Sequence, residues 1–414
     1  MTSGNGGPDG AGAAPLLEPR EPIPSIVSDT EGLAEATASL AAGTGPVAVD
    51  AERASGYRYG QRAYLVQFRR QGAGTVLIDP ISCPDLSGVD AALADAEAIL
   101  HAASQDLPCL GELSYRPKRL FDTELAGRLL GFPRVGLATL VEEILGVRLE
   151  KGHSAADWST RPLPASWIRY AALDVEVLIE LRDALAARLD TAGKSHWACQ
   201  EFRAVLETAP AKPRPDPWRR TSGIHRVRSP RGLAAVRELW QVRDTIARRL
   251  DLSPGRVLPD AAIVEAARTL PAGPAELNAI SGFTGRNARR HTGAWLRALG
   301  RARSGDTETL PEPSVPGDGP PPASRWAERD PGAARRLEAA RTVVTAIADE
   351  HTVPSENLLQ PDVVRRLCWS PPGELTQEAI GGELARYGAR PWQIGLTALP
   401  LAGALRRLHD KGEG

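Results

Sequence analysis

Three short segments carry carboxylates among apolar residues at separations that only a particular tertiary fold could reconcile: VAVDAE at 47–52, HAASQD at 101–106 and YAALD at 170–174. Asp50, Glu52, Asp106, Tyr170 and Asp174 span 125 positions. Asp50 and Glu52 stand i, i+2 on a predicted strand, so their side chains leave one face while Val47 and Val49 go to the core. Tyr170 and Asp174 stand i, i+4 on a predicted helix and share a face as well. Each segment alone has an ordinary reading: an exposed Asp-x-Glu at a strand end, or a surface Asp above a core Tyr. Asp106 alone reads equally as a first-turn acid behind a Ser104 N-cap, favoured by the helix dipole. Like charges beside an apolar strand are costly without a cation, and hard divalent cations take oxygen ligands. Together the five residues predict such a cation site. Asp122, in LFDTELAGRLLG, reads as a helix N-cap. His101 and His153 lack partners at ligand spacing and read as structural, and Trp158 and Trp167 read as core.

The pattern around these segments is that of a mixed α/β domain. VAVDAE, AYLVQFRR and TVLIDP are short β-rich runs read as neighbouring strands. Helices are expected at about 86–97, after Ser104, at 122–130, at 137–146, and as one long helix from 164 to 190. Residues 1–22, rich in Gly, Pro and Ala, are expected to be disordered. At 414 residues more than one domain is required. The expected division is 23–210 for the α/β domain, 211–227 a Pro-rich linker, 228–303 a helical domain, 304–325 a Pro- and acid-rich linker, and 326–414 a second helical domain. LPDAAIVEAART is expected to begin a helix at an Asp260 cap. The two helical modules are copies: 254–299 aligns with 354–399 without gaps at 13 of 46 positions. Pro254/Pro354, Leu258/Leu358, Ile280/Ile380, Gly282/Gly382, Arg286/Arg386 and Arg290/Arg390 are among the pairs.

The formal charge of -1 conceals strong asymmetry. Residues 212–249 hold Lys212 and ten arginines against Asp216, Glu238 and Asp244, and residues 278–303 hold six arginines and no acid. Such clusters are footprints for a polyanion, with Arg219, Arg220, Arg286, Arg289 and Arg290 the candidate contacts; any one of them alone reads better as part of a solvated helix face. Four dispersed cysteines without CxxC spacing indicate neither a zinc site nor a disulfide framework. No signal peptide and no apolar run of membrane-spanning length is expected, so the reading is a cytoplasmic chain without membrane contact. No GxxxxGK[ST] phosphate loop exists, which excludes an ATP-driven motor of that kind.

In order and context the segments VDAE, HAASQD and YAALD resemble the DEDD exonuclease superfamily in its tyrosine-bearing form, and within it the ribonuclease D family. LFDTELAGRLLG, GLATLVEEILGVRLEKG and ADWSTRPLP extend the resemblance over about 25–190. RVLPDAAIVEAA and ISGFTGRNARR resemble HRDC domains; the second helical copy is a divergent one, with Glu383 where the first has Phe283. The resemblance implies an α/β ribonuclease H-like exonuclease domain followed by two all-α HRDC-like helical domains. It implies that Asp50 bridges two Mg²⁺ or Mn²⁺ ions, that Glu52 and Asp174 complete the site that activates water, that Asp106 holds the second ion, and that Tyr170 hydrogen-bonds the attacking water. The implied activity is 3′→5′ exoribonucleolytic trimming of structured RNAs such as tRNA precursors by a monomer, releasing nucleoside 5′-monophosphates from a single-stranded end. The alternatives are a 3′→5′ DNA exonuclease, a catalytically silent RNA-binding scaffold, or a helicase-associated adaptor.

Overall fold

The computed structural model describes residues 14–16, 18–149, 152–153, 155–209, 214–306, 308, 310–313 and 319–410. Among the described residues eight strands form two sheets: β1 (Ala14–Leu16), β2 (Ile26–Val27), β3 (Thr44–Arg53), β4 (Ala63–Gln71), β5 (Gly74–Ile78), β6 (Ala98–Leu100), β7 (Leu120–Asp122) and β8 (Val147–Leu149). The larger sheet has the order β2-β5-β4-β3-β6-β7. The three runs read as strands are neighbours in it, β3 to β5 forming an antiparallel meander, while β6 runs parallel to β3 and β7 parallel to β6. Val47 and Val49 are buried on one face, as their parity predicts, with Val66, Phe68 and Ile78. The opposite face is covered too: Ala48 and Ile99 pack against Val175 and Leu178 of the helices laid across it.

Four expectations are corrected. Residues 86–97 hold only the short helix Ser87–Ala92, after which 98–100 is strand. A fully buried three-residue strand has no room to display a period of two. The helix expected over 164–190 is two helices, Ala165–Glu176 and Leu178–Thr191, meeting at the buried Val177. No Gly or Pro marks that break; the first helix packs over β3 and β4, the second over β3 and β6. Residues 14–16 pair in parallel with 147–149, within a tail expected to be disordered; 1–13 and 17 lie outside the described residues. Asp260 is the first helical residue, behind Pro259, and its carboxylate pairs with buried Arg243 at 2.6 Å.

The first helical domain closes its own core around Leu239, Ile263, Phe283 and Trp295, and takes in Trp218 and Val227 from the stretch read as linker. The second repeats its plan, Leu258 and Leu358 being equally buried. Its core is not separate: Leu337, Leu367 and Leu401 belong to one apolar cluster with Val49 and Leu181. Among the described residues no helix is long and apolar enough to cross a membrane.

Candidate active site

Asp50 and Glu52 project from β3 at the middle of the sheet, opposite Gln67 and Leu65 of β4. Helix Ala165–Glu176 crosses that face and brings in Tyr170 and Asp174 one turn apart. One carboxylate oxygen from each of Asp50, Glu52 and Asp174 lies within 4.8 Å of the others. Asp106 arrives from beyond β6. It is the N-cap of helix Leu107–Glu112, not a first-turn residue behind Ser104, and its side chain makes no capping bond. Its carboxylate instead meets the Arg53 guanidinium at 3.2 Å. All five residues line one cavity of about 630 Å³.

Asp122 is an N-cap as read, and it does more. Buried, it accepts from Glu124 N and Leu125 N of its own helix and from Ala102 N and Ala103 N of the segment leading to Asp106. That pins the turn that delivers Asp106. His101 lines the cavity, with Nδ1 2.9 Å from Thr123 Oγ1. Burial pushes its pKa down to about 4, so the ring is neutral. The His153 ring packs edge-on to Tyr170 at 5.6 Å, and Trp158 is fully buried beside it.

The electrostatics are those of four crowded acids with one basic side chain, Arg53, beside them. Burial pushes the Asp50 carboxyl up to about 6, against the pull of the Ala51 amide and Arg53. Burial, then Asp50, Asp174 and Asp106, pushes Glu52 up to about 10. Burial and Asp50 raise Asp106 to about 8, and the same two causes raise Asp174. Three oxygen ligands this close, Glu52 buried and Asp50 and Asp174 half-buried, and reluctant to ionise together, fit a divalent cation, whose charge would remove the repulsion. Tyr170 is pushed above its ordinary value by burial first and Asp174 next, so its hydroxyl keeps its proton.

None of the five candidate arginines lines this cavity. Arg286, Arg289 and Arg290 are exposed on the first helical domain, and Arg220 is exposed near its start. Arg219 is held by Asp216 at 3.0 Å and by the Glu312 carbonyl, and lies 4.3 Å over the Trp218 ring. Two residues were not singled out from the sequence. Arg53 follows Glu52 directly, a base beside an acid pair. Gln67 interrupts the apolar run AYLVQFRR; it is wholly buried opposite Asp50, and among the described residues neither its amide oxygen nor its nitrogen has a hydrogen-bond partner.

A carboxylate cluster on the central strand of the sheet, faced by a helix bearing Tyr and Asp, fits the 3′→5′ exonuclease class that the sequence segments resemble. The "3'-5' exonuclease" family profile matches residues 24–190, the "HRDC domain" profile 232–299, and the "3' to 5' exonuclease C-terminal domain" profile 319–405. The last of these places the second helical copy in a module of its own kind. The chain is 31% identical to ribonuclease D of Gluconacetobacter diazotrophicus over 86% of this chain and 88% of that one. It is 30% identical to ribonuclease D of Escherichia coli K12, covering 78% and 84%. A Bifidobacterium adolescentis protein superimposes with a TM-score of 0.88 at 37% identity, covering 95% of this chain and all of that one. The Escherichia coli RNase D structure, described as an exoribonuclease involved in structured RNA processing, does so at 0.67 and 25%, covering 94% and 98%. The chain belongs to the ribonuclease D family, the exoribonucleases that hydrolyse phosphodiester bonds from the 3′ end.

Proposed function

We propose that the enzyme trims single-stranded 3′ extensions from structured RNAs such as tRNA precursors, releasing nucleoside 5′-monophosphates, with two divalent cations at the carboxylate cluster. The observation that carries this reading is the convergence of Asp50, Glu52 and Asp174 within 4.8 Å in a cavity whose wall also presents Asp106.

Asp50, Glu52 and Asp174 would hold one Mg²⁺ or Mn²⁺, and Asp106 beside Asp50 a second. When bound, the ions supply Lewis-acid stabilisation of the charge developing on the attacking and leaving oxygens of an in-line displacement. The chain supplies position. β3 pairs with β4 through Asp50 and Glu52 and with β6 just before them, at Val47 and Ala48, so the strand that carries both carboxylates is anchored within the sheet. Tyr170 stands one turn before Asp174 on the same helix and shares the cavity wall with it; as a protonated phenol it orients the attacking water rather than acting as a free base. A cavity of about 630 Å³ takes the end of a strand but not a paired stem, so trimming halts where the RNA folds. The exposed arginines of the first helical domain would hold backbone phosphates upstream of the end.

The test is a 5′-labelled tRNA with a 3′ extension, beside single-stranded RNA and DNA of one sequence, in Mg²⁺ or in chelator. A metal-dependent ladder shortening from the 3′ end of RNA, halting at the stem and absent in Asp174→Asn, is expected. Equal or faster loss of DNA would make DNA the substrate. Binding of RNA without degradation would leave a scaffold.

A further inference from the structure

Asp106 has a charged partner in place: Arg53 Nη2 lies 3.2 Å from its Oδ1. Arg53 is the last residue of β3, where the register with β4 shifts between Glu52 and Arg53. Irregular pairing of this sort re-aims side chains beside active sites. Arg53 is the single basic side chain among the described arginines and lysines lining the cavity. The pair is accessible from the cavity, Arg53 having about a quarter of its side chain exposed (25%).

Charge counting gives this cation a consequence. With four carboxylates ionised, the cavity carries four negative charges and the one positive charge of Arg53. A divalent ion among Asp50, Glu52 and Asp174 leaves a net charge of minus one. A second ion at Asp106 would leave plus one, until a phosphodiester restores neutrality.

We propose that Arg53 is a resident counter-cation for Asp106. It occupies the carboxylate that a second metal ion would use, weakens that ion's binding to the free enzyme, and passes to a phosphate of the incoming strand when the ion displaces it. A guanidinium is suited to both partners, since carboxylate and phosphate oxygens match the same fork of N–H donors. Arg53 would thus be a positioning residue that couples completion of the metal site to arrival of RNA. This rests on the reading of the carboxylates as metal ligands.

The test is titration of the full chain with Mn²⁺, following binding by calorimetry and by the electron paramagnetic resonance of free Mn²⁺. Wild type, Arg53→Met, Arg53→Lys and Asp174→Asn are compared, with thermal melting to show that each is folded. RNA affinity is measured in Ca²⁺. In wild type a first Mn²⁺ binds more tightly than a second, and Asp174→Asn loses the first. Arg53→Met should tighten the second step at least tenfold, and by more than the first, while weakening RNA binding severalfold; Arg53→Lys should return both toward wild type. A second step unchanged or weakened in Arg53→Met overturns the role of Arg53 while leaving the metal site standing. RNA affinity unchanged in Arg53→Met overturns the transfer to phosphate. No Mn²⁺ bound by wild type, or binding indifferent to Asp174→Asn, overturns the metal reading and the inference with it.

Discussion

At Glu52 stability and catalysis pull in opposite directions. In the metal-free protein its carboxyl lies at about 10, with Asp106 at about 8 and Asp50 at about 6, whereas unfolded carboxyls titrate near about 4. The folded state therefore retains protons that the unfolded state has lost, and metal-free stability falls as pH rises from about 4 through those values. A bound cation relieves this, so the gain in melting temperature on adding Mg²⁺ should be larger at pH 8.5 than at pH 6. Glu52→Gln should melt above wild type at pH 8 without metal, yet show no exonuclease activity; a variant melting at or below wild type would contradict the electrostatic account. Tyr170→Phe should lower kcat on the order of 10²-fold while keeping the Mg²⁺-dependent gain in melting temperature, and loss of that gain would make Tyr170 a structural support instead. Asp50 with Glu52, and Tyr170 with Asp174, were legible as pairs because a strand or a helix converts their spacing into a shared face, whereas Asp106 was picked out only through the resemblance of its segment to the family. Arg53 was not, since a base after two acids looks like a solvated strand end until Asp106 is seen beside it.

Among the elements, the loop between β3 and β4 has the most to say about substrate. Gly56, which lines the cavity, accepts at its carbonyl from Ser253 Oγ at 3.0 Å and Arg256 Nε at 2.8 Å. Ser253 N donates to Tyr57 O at 2.9 Å, the Arg256 guanidinium lies 4.1 Å from the Tyr57 ring centroid, and the Tyr59 hydroxyl bonds Asp244 at 2.8 Å. The HRDC domain thus braces a wall of the active site as well as presenting arginines. Arg256→Ala should raise KM for RNA severalfold with Mn²⁺ binding unchanged, measured by steady-state trimming and calorimetry; an unaltered KM would reduce the contact to simple domain packing. Strands with several alternating or β-branched residues, β3 to β5, were readable before the structure. The three-residue strands were not, and neither was the helix break at Val177, because tertiary packing rather than local propensity decides both.

At the scale of the molecule, the two helical copies have been put to different uses. Arg290 is exposed, whereas its counterpart Arg390 pairs with Glu201 of the exonuclease domain at 3.4 Å. Beside it the Trp392 ring stacks on Trp197 at 4.6 Å and its Nε1 donates to Glu201 at 2.9 Å. Lys194 Nζ donates to Leu129 O and, across the same seam, to His351 O. The repeat was legible at an offset of one hundred residues, but fusion of the second copy with the catalytic core was not, since its buried face looks like any helical core from sequence. Calorimetry should resolve two transitions, one for the exonuclease and C-terminal domains together and one for the HRDC domain, and Trp392→Ala should destabilise the first by about 3–5 kcal/mol without moving the second. If the C-terminal domain melted independently, the shared core would be refuted. Everything catalytic rests on the claim that the carboxylates of β3 and helix Ala165–Glu176 hold metal. Anomalous scattering from crystals of the full chain grown with Mn²⁺ and a non-cleavable RNA end tests it directly. A manganese peak coordinated by Asp50, Glu52 and Asp174, with a second beside Asp106, is the predicted result; crystals of RNA-bound protein with no manganese within reach of those residues would contradict it.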